Sequence, residues 1–130
     1  MLLVEDNPDA LEMYAVGLRA AGYEVVEAPT LSVAEEKAEL LRPHVIVLDR
    51  NLPDGDGLDL AARWRRIRLF DSVPIIMLTA SGARADVERS LFAGCDVFLT
   101  KPCTPAMLVQ HVERAIATST PTRRFAKPSS

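Results

Sequence analysis

The chain has 130 residues, of which 48% are hydrophobic and 25% charged, a size and composition typical of one globular domain with a hydrophobic core. Its formal net charge of −3 provides no overall basic field for nucleic acid, and its apolar runs are far shorter than the roughly 20 residues that span a bilayer. Since the first residues also lack the pattern of a signal peptide, we expect a cytoplasmic protein that binds neither membranes nor, directly, nucleic acid.

Short apolar runs alternate with helical periodicities along the chain, which is the pattern of repeated strand–helix units around a parallel sheet. Residues 2–4 form a brief first strand, and Asn7 followed by Pro8 supplies the cap and first turn of a helix that ends at Gly22. Residues 23–28 alternate in polarity and predict a half-exposed strand at the sheet edge.

The third predicted strand ends in a carboxylate. After a second helix over residues 31–41, stopped by Pro43, the apolar run 45–48 leads directly into Asp49, and residues 50–57 have the composition of a turn. Ligands in open α/β sheets bind outside the carboxyl ends of the strands. Asp49 is therefore the first candidate functional residue.

The third helix is predicted to be amphipathic. Leu60, Trp64 and Ile67 share one face and predict its buried side. The other side carries four arginines that we expect to be solvated: Arg63, Arg65, Arg66 and Arg68.

The rest of the domain contains two more strands and two more helices, at residues 73–79, 86–93, 97–99 and 104–117. Residues 118–130 are polar, contain proline and lack an apolar period. They predict a disordered tail or linker that follows a single domain at residues 1–117.

Four of the five predicted strands end in polar side chains that could act together: Glu5 with Asp6, Asp49, Thr79 and Lys101. The carboxyl ends of parallel strands lie at one edge of a sheet, with neighbouring strands roughly 4.8 Å apart. We therefore expect three carboxylates, a hydroxyl and an amine to converge in one crevice.

Three carboxylates in one crevice require a compensating cation. Each like-charged pair about 4 Å apart is unfavourable by on the order of 4 kcal/mol at an effective dielectric of about 20. Magnesium suits such a site best, since it takes hard oxygen ligands, retains water and is usually bound by one or two carboxylates together with a phosphate. With the charge of Lys101 added, the site can admit a phosphate group.

At these positions the sequence resembles the receiver domain of two-component response regulators, in the CheY-like superfamily, over about residues 1–117. The resemblance rests on residues in the family's order and at similar spacing: Glu5-Asp6, Asp49 with Leu52-Pro53 and Gly57, Thr79-Ala80, and Lys101-Pro102. It implies a flavodoxin-like, doubly wound α/β fold, with a five-stranded parallel sheet in the order 2-1-3-4-5 and five helices in a three-layer α/β/α arrangement.

The resemblance also implies a role for each of these residues. Asp49 would accept a phosphoryl group from a sensor histidine kinase or a phosphotransfer protein, with Lys101 neutralising charge on the moving group. Mg²⁺ would be held by Glu5, Asp6, Asp49 and the backbone carbonyl of Asn51. Such a protein would be a signalling phosphoacceptor and not an enzyme, beyond its own self-phosphorylation and autodephosphorylation.

Phosphorylation is expected to change one surface of the domain. By resemblance, the Thr79 hydroxyl moves to the new phosphoryl oxygen and Phe98 swings inward behind it, which remodels the face formed by the fourth helix, fifth strand and fifth helix. That face would control a downstream effector protein or an output domain, with the receiver a monomer or a phosphorylation-dependent dimer. Because Asn51 and Ser81 are small and polar, we expect water to reach the acyl phosphate and shorten its lifetime.

Other classes of protein use some of the same features. An aspartate-nucleophile phosphohydrolase would also use Asp49, but such enzymes usually place a second aspartate where this chain has Asn51. A flavodoxin-like binding protein would share the fold, yet it should carry a hydroxyl-rich phosphate loop in place of the acidic segment after the first strand. A pseudo-receiver that signals through contacts alone would not need the complete acidic site.

Overall fold

The fold is built on five parallel strands, seen in a computed structural model that describes residues 1–118. They are β1 (Leu2–Val4), β2 (Val26–Ala28), β3 (Ile46–Asp49), β4 (Ile75–Thr79) and β5 (Val97–Thr100). The strands lie in the order β2-β1-β3-β4-β5 and all pair in parallel. This confirms the predicted doubly wound sheet and brings the ends of β1, β3, β4 and β5 to one edge.

Five α-helices connect the strands: α1 (Pro8–Ala20), α2 (Leu31–Leu41), α3 (Gly57–Arg65), α4 (Arg84–Phe92) and α5 (Pro105–Thr118). The start of α1 has the predicted cap, because the Asn7 side chain accepts a hydrogen bond from the Ala10 N–H and Pro8 occupies the first turn. Two short elements were not predicted. One is a 3-10 turn over Arg68–Phe70, and the other a hairpin that pairs Asn51–Leu52 with Gly55–Asp56.

Alternating side chains along the buried strands create a hydrophobic layer on each side of the sheet. In β1, Leu2 and Val4 pack with α2 and α3, whereas Leu3 packs with α1 and α5. The core therefore has two halves, and the three-layer α/β/α arrangement is confirmed. Both cysteines, Cys95 and Cys103, are buried free thiols.

The structure corrects the predicted faces of the third helix. Ile67 lies beyond the end of α3 and is 42% exposed, so it does not belong to the core. Arg65 is not solvated, because its side chain is only 9% exposed and its guanidinium pairs with Asp96. The same group donates hydrogen bonds to the carbonyl of Gly94 and to those of two further residues, Phe70 and Val73.

Two further expectations concern the carboxyl-terminal segment and the association of the chain with membranes. Helix α5 continues through Thr118, the first residue assigned to the predicted tail, and the rest of that segment lies outside the described residues. Among residues 1–118, no helix has the length and apolar character needed to cross a membrane.

Candidate functional site

The site is organised around the ammonium group of Lys101. This residue follows β5, and its Nζ lies 2.7 Å from Oε1 of Glu5, after β1, and 3.2 Å from Oδ2 of Asp49, at the end of β3. Three strand ends that are far apart in the sequence therefore meet at one cation. Both carboxylates are buried, so solvent screens these ion pairs only weakly.

Backbone N–H groups fix the second oxygen of each buried carboxylate. Oε2 of Glu5 accepts from the N–H of Asn7 at 3.2 Å, and Oδ1 of Asp49 accepts from the N–H of Asn51 at 3.3 Å. Each carboxylate thus has one oxygen on Lys101 and one on its own loop. This pattern fixes the orientation of both carboxylates toward Lys101.

Two opposing effects act on the pKa of the Lys101 ammonium. Burial disfavours its charged form, but the hydrogen bond to Glu5 and the charge of Asp49 outweigh burial, so the pKa of Lys101 lies above its ordinary value of 10.5. The side chain therefore carries a positive charge at neutral pH.

The chain around Lys101 is held from two sides. Its backbone N–H donates to the carbonyl of Thr79 at 2.7 Å, and the Lys101–Pro102 peptide bond is cis. Next along the chain, the carbonyl of Cys103 accepts a hydrogen bond from the Tyr14 hydroxyl at 3.0 Å. Helix α1 therefore supports the corner between β5 and α5 that positions the lysine.

Asp6 completes an acidic cluster with Glu5 and Asp49. One carboxylate oxygen from each residue lies within 4.8 Å of the others, and Asp6 is exposed while the other two are buried. This spacing is short enough that, after small side-chain movements, the three carboxylates would hold one Mg²⁺ ion. The donors are all hard oxygens, which fits Mg²⁺, and the exposed side leaves room for water or a phosphoryl oxygen.

The predicted switch residues occupy different depths in the sheet. Thr79 is buried at the end of β4, where its Oγ1 accepts from the N–H of Ser81 at 3.2 Å. Thr100 is the residue of β5 that pairs with Thr79, and Phe98 lies two positions before it, partly buried against the core. Thr79 thus lies at the same edge as Asp49, and Phe98 lies farther back in the sheet.

Sequence reasoning missed two residues beside the site, Arg50 and Asp86. Arg50 directly follows Asp49, and its side chain is largely buried in an ion pair with Asp86 of α4. The partners are far apart in the sequence and neither lies on a periodic apolar pattern. The composition of residues 50–57 predicts only a turn, in which a charged residue is ordinarily solvated.

Comparison with known proteins agrees with the fold. The family model for "Response regulator receiver domain" matches residues 1–113. The phosphate regulon transcriptional regulatory protein PhoB of Pseudomonas aeruginosa is 37% identical over 121 residues, which cover 93% of this chain and 53% of PhoB. The chain therefore spans about half the length of that relative.

Two shorter proteins match over almost their whole length. The chemotaxis protein CheY1 of Helicobacter pylori is 34% identical over 121 residues, which cover 92% of this chain and 98% of CheY1. The solved structure of the chemotaxis response regulator CheY4 of Vibrio cholerae superposes with a TM-score of 0.83 at 30% identity, covering 88% of this chain and 95% of that one.

Proposed function

This chain belongs to the response regulator receiver domain family, and we propose that Asp49 is its phosphoacceptor. The observation that supports this best is the position of the Asp49 carboxylate. It is buried at the end of β3, 3.2 Å from the Lys101 ammonium and grouped with Glu5 and Asp6. Receiver domains are signalling phosphoacceptors and not classical enzymes, and an anion-accepting crevice with one carboxylate nucleophile suits that role.

In the proposed reaction an Asp49 carboxylate oxygen attacks the phosphorus of a phosphohistidine. The new O–P bond forms while the P–N bond breaks, and the electron pair of the broken bond stays on the imidazole nitrogen. Lys101 already lies within hydrogen-bond distance of Asp49 and would donate to an oxygen of the transferred group. This hydrogen bond would offset negative charge on the transferred group. Neutralisation of that charge is a main requirement of phosphoryl transfer.

Proteins of this family bind Mg²⁺ at an acidic pocket, and Glu5, Asp6 and Asp49 form such a pocket here. We propose that these carboxylates and the backbone carbonyl of Asn51 hold the ion. When bound, Mg²⁺ would neutralise charge on the phosphoryl oxygens. Glu5 would act mainly by orienting Lys101, since its Oε1 lies 2.7 Å from Nζ.

The proposed readout of phosphorylation begins at Thr79. Its hydroxyl now accepts a hydrogen bond from Ser81 and would turn to donate to the new phosphoryl oxygen. Phe98 is only partly buried in this arrangement and would turn farther inward behind Thr79. The expected result is a changed surface along α4, β5 and α5. Phosphorylation would shift a two-state equilibrium from the resting surface toward this changed one.

The proposed partners are a sensor histidine kinase or phosphotransfer protein on the input side and an effector protein or output domain on the other. PhoB is named a transcriptional regulator and this chain matches about half of it, whereas CheY1 matches at nearly full length. Both a receiver within a longer regulator and a single-domain receiver are compatible with these matches. The phosphorylated domain would act as a monomer or as a phosphorylation-dependent dimer.

The proposal is tested by incubating the protein with acetyl phosphate and Mg²⁺ and weighing the intact chain. Wild type should gain the mass of one phosphoryl group, and a chelator should prevent the gain. Asp49→Asn should gain nothing, because the amide is not a nucleophile. Asp59→Asn is the matched control, since it makes the same chemical change at an exposed position of α3 and should be phosphorylated like wild type.

Each rival function predicts a different result. An adduct of equal extent on wild type and Asp49→Asn would overturn the acceptor assignment. A folded wild type that takes no phosphoryl group from any donor would indicate a phosphorylation-independent interaction module. Continuous Mg²⁺-dependent turnover of a phosphomonoester would indicate a phosphohydrolase, against which the amide at Asn51 argues.

A further inference from the structure

An ion pair links the acceptor loop to α4. The Arg50 side chain is 12% exposed, and its Nη1 lies 2.7 Å from Oδ1 of Asp86 in the first turn of α4. Its Nε lies 3.4 Å from Oδ1 of Asp56, which caps α3. The backbone of Arg50 is itself fixed, because its N–H donates to Leu78 and its carbonyl accepts from Gly57.

The link continues from Asp86 to Thr79. Oδ2 of Asp86 accepts from the Ser81 hydroxyl at 2.6 Å, and the Ser81 N–H donates to Oγ1 of Thr79 at 3.2 Å. Arg50, Asp86 and Ser81 thus connect the residue after Asp49 to the hydroxyl proposed to read phosphorylation. Every connection is a direct hydrogen bond.

Burial distinguishes this network from an ordinary surface ion pair. On the same helix, Arg84 and Glu88 form an (i, i+4) pair with side chains 91% and 67% exposed, a type that contributes little to stability. Arg50 is shielded from solvent, and hydrogen bonds from Ser81 and Arg50 hold the pKa of Asp86 below its ordinary value of 3.8. Asp86 is therefore charged and paired at neutral pH.

We infer that Arg50, Asp86 and Ser81 form a latch that holds α4 and the Thr79 hydroxyl in their unphosphorylated arrangement, with Arg50 as its positioning residue. The inference rests on the proposed role of Asp49. A turn of the Thr79 side chain toward a phosphoryl group on Asp49 would carry its Oγ1 away from the N–H of Ser81, to which it is now hydrogen-bonded. The latch opposes that movement because Ser81 is hydrogen-bonded to Asp86, which pairs with Arg50. It therefore affects the equilibrium between the unphosphorylated and phosphorylated arrangements.

The first test uses the unphosphorylated protein and needs no phosphodonor. Asp86→Asn and Arg50→Gln should each raise amide hydrogen exchange in α4 several-fold over wild type, since the helix loses its tie to the β3–α3 loop. Arg84→Gln is the matched control, because it removes an exposed ion pair from the same helix and should leave exchange unchanged. Unchanged exchange in both latch variants would overturn the inference.

The second test measures coupling to the switch. Beryllofluoride with Mg²⁺, a mimic of the phosphoryl group, should bind Asp86→Asn and Arg50→Gln roughly fivefold or more tightly than wild type, because the resting state no longer resists the change. The double variant should bind no more tightly than the stronger single variant, since both remove the same link. Arg50→Lys keeps the charge near Asp86 and should fall between wild type and Arg50→Gln.

The outcomes separate the latch from the proposed function. If wild type neither binds beryllofluoride nor accepts a phosphoryl group on Asp49, the proposed function fails and the latch is judged by exchange in α4 alone. If wild type responds normally and both latch variants match Arg84→Gln, the phosphoacceptor role stands and the latch is overturned. Tighter binding by the latch variants with faster exchange in α4 supports both.

Discussion

The three carboxylates of the acidic cluster have different environments. Glu5 and Asp49 are buried and each accepts a hydrogen bond from Lys101, whereas Asp6 is exposed and contributes charge to the cluster without an ion pair within 4.0 Å in the part of the chain that the structure describes. Glu5 and Asp49 therefore share one cation within the protein. Asp6 would gain a counter-charge at the proposed Mg²⁺ site.

This difference predicts opposite effects of Asp6→Asn on stability and on metal binding. Without Mg²⁺, the free energy of unfolding should rise by about 0.5 kcal/mol, because a repulsive charge is removed and solvent already screens part of its effect. The variant should gain no stability on addition of Mg²⁺, whereas the stability of wild type should rise with the logarithm of the Mg²⁺ concentration above its Kd. Urea unfolding with and without Mg²⁺ measures both effects, and a Mg²⁺ response equal to that of wild type would contradict the prediction.

Asp86 predicts a specific dependence of stability on pH. Hydrogen bonds from Ser81 and Arg50 hold its folded pKa below the ordinary value of 3.8, so the folded protein binds this proton less readily than the unfolded chain. The stabilisation is therefore present above the ordinary pKa and is lost as pH falls through the folded value. The difference in unfolding free energy between wild type and Asp86→Asn should be constant from about pH 7 to about pH 5 and shrink below about pH 4. A difference that persists unchanged in acid would contradict this.

At the scale of secondary-structure elements, α1 and α5 approach closely at one glycine. A Cβ added at Gly17 would lie 2.6 Å from the Cβ of Pro105, the first residue of α5. Pro105 lies four residues after Lys101. Between them, the carbonyl of Cys103 accepts a hydrogen bond from the Tyr14 hydroxyl of α1. The contact therefore affects both the packing of the two helices and the support of the site.

Gly17→Ala should lower the free energy of unfolding by about 1–3 kcal/mol, because overpacking outweighs the gain of roughly 0.5–1 kcal/mol in helix propensity. The exposed neighbour Val16 provides the control, and Val16→Ala should change stability by no more than about 0.5 kcal/mol. Urea unfolding of both variants measures the difference. A more stable Gly17→Ala would show that α5 can shift away without loss.

Element ends could be predicted from the sequence where local rules decide them. Asp49 ends a short apolar run before a turn-rich segment, and Asn7 precedes Pro8 at a helix start, so both positions followed from neighbouring residues. For the hairpin that follows Asp49, the sequence predicts only a turn. Its strands are two residues each, too short for any alternation of polarity to show.

At the scale of the whole molecule, side chains with distant partners could not be predicted. The pattern of helix faces predicts that four arginines are solvated and cannot tell them apart: Arg63, Arg65, Arg66 and Arg68. The partner of Arg65 is Asp96, which lies 31 residues later, and that of Arg50 is Asp86, 36 residues later. Which arginine is buried depends on where other elements end, and that is decided only when the sheet has assembled.

Arg65 joins the end of the sheet opposite the site. It contacts residues that precede β4 and β5, namely Val73, Gly94 and Asp96, and so ties both strands to α3. Asp96 also accepts from the backbone N–H of Ile75 at 2.8 Å. The acidic cluster lies at one edge of the sheet, and the buried Arg65 guanidinium stabilises the opposite edge.

Arg65→Met should therefore lower the free energy of unfolding by about 3–5 kcal/mol, since it removes the buried guanidinium that pairs with the Asp96 carboxylate and donates to several carbonyls. Arg66→Gln, at the next position and exposed, should change it by no more than about 0.5 kcal/mol. Fluorescence of the single tryptophan, Trp64, which is buried in the core beside Arg65, can follow urea unfolding of both variants. Below the unfolding transition, Arg65→Met should bind Mg²⁺ like wild type, because the hydrogen bonds described above lie at the end of the sheet opposite the acidic cluster. A weakened metal site in the folded variant would show that the two ends of the sheet are coupled.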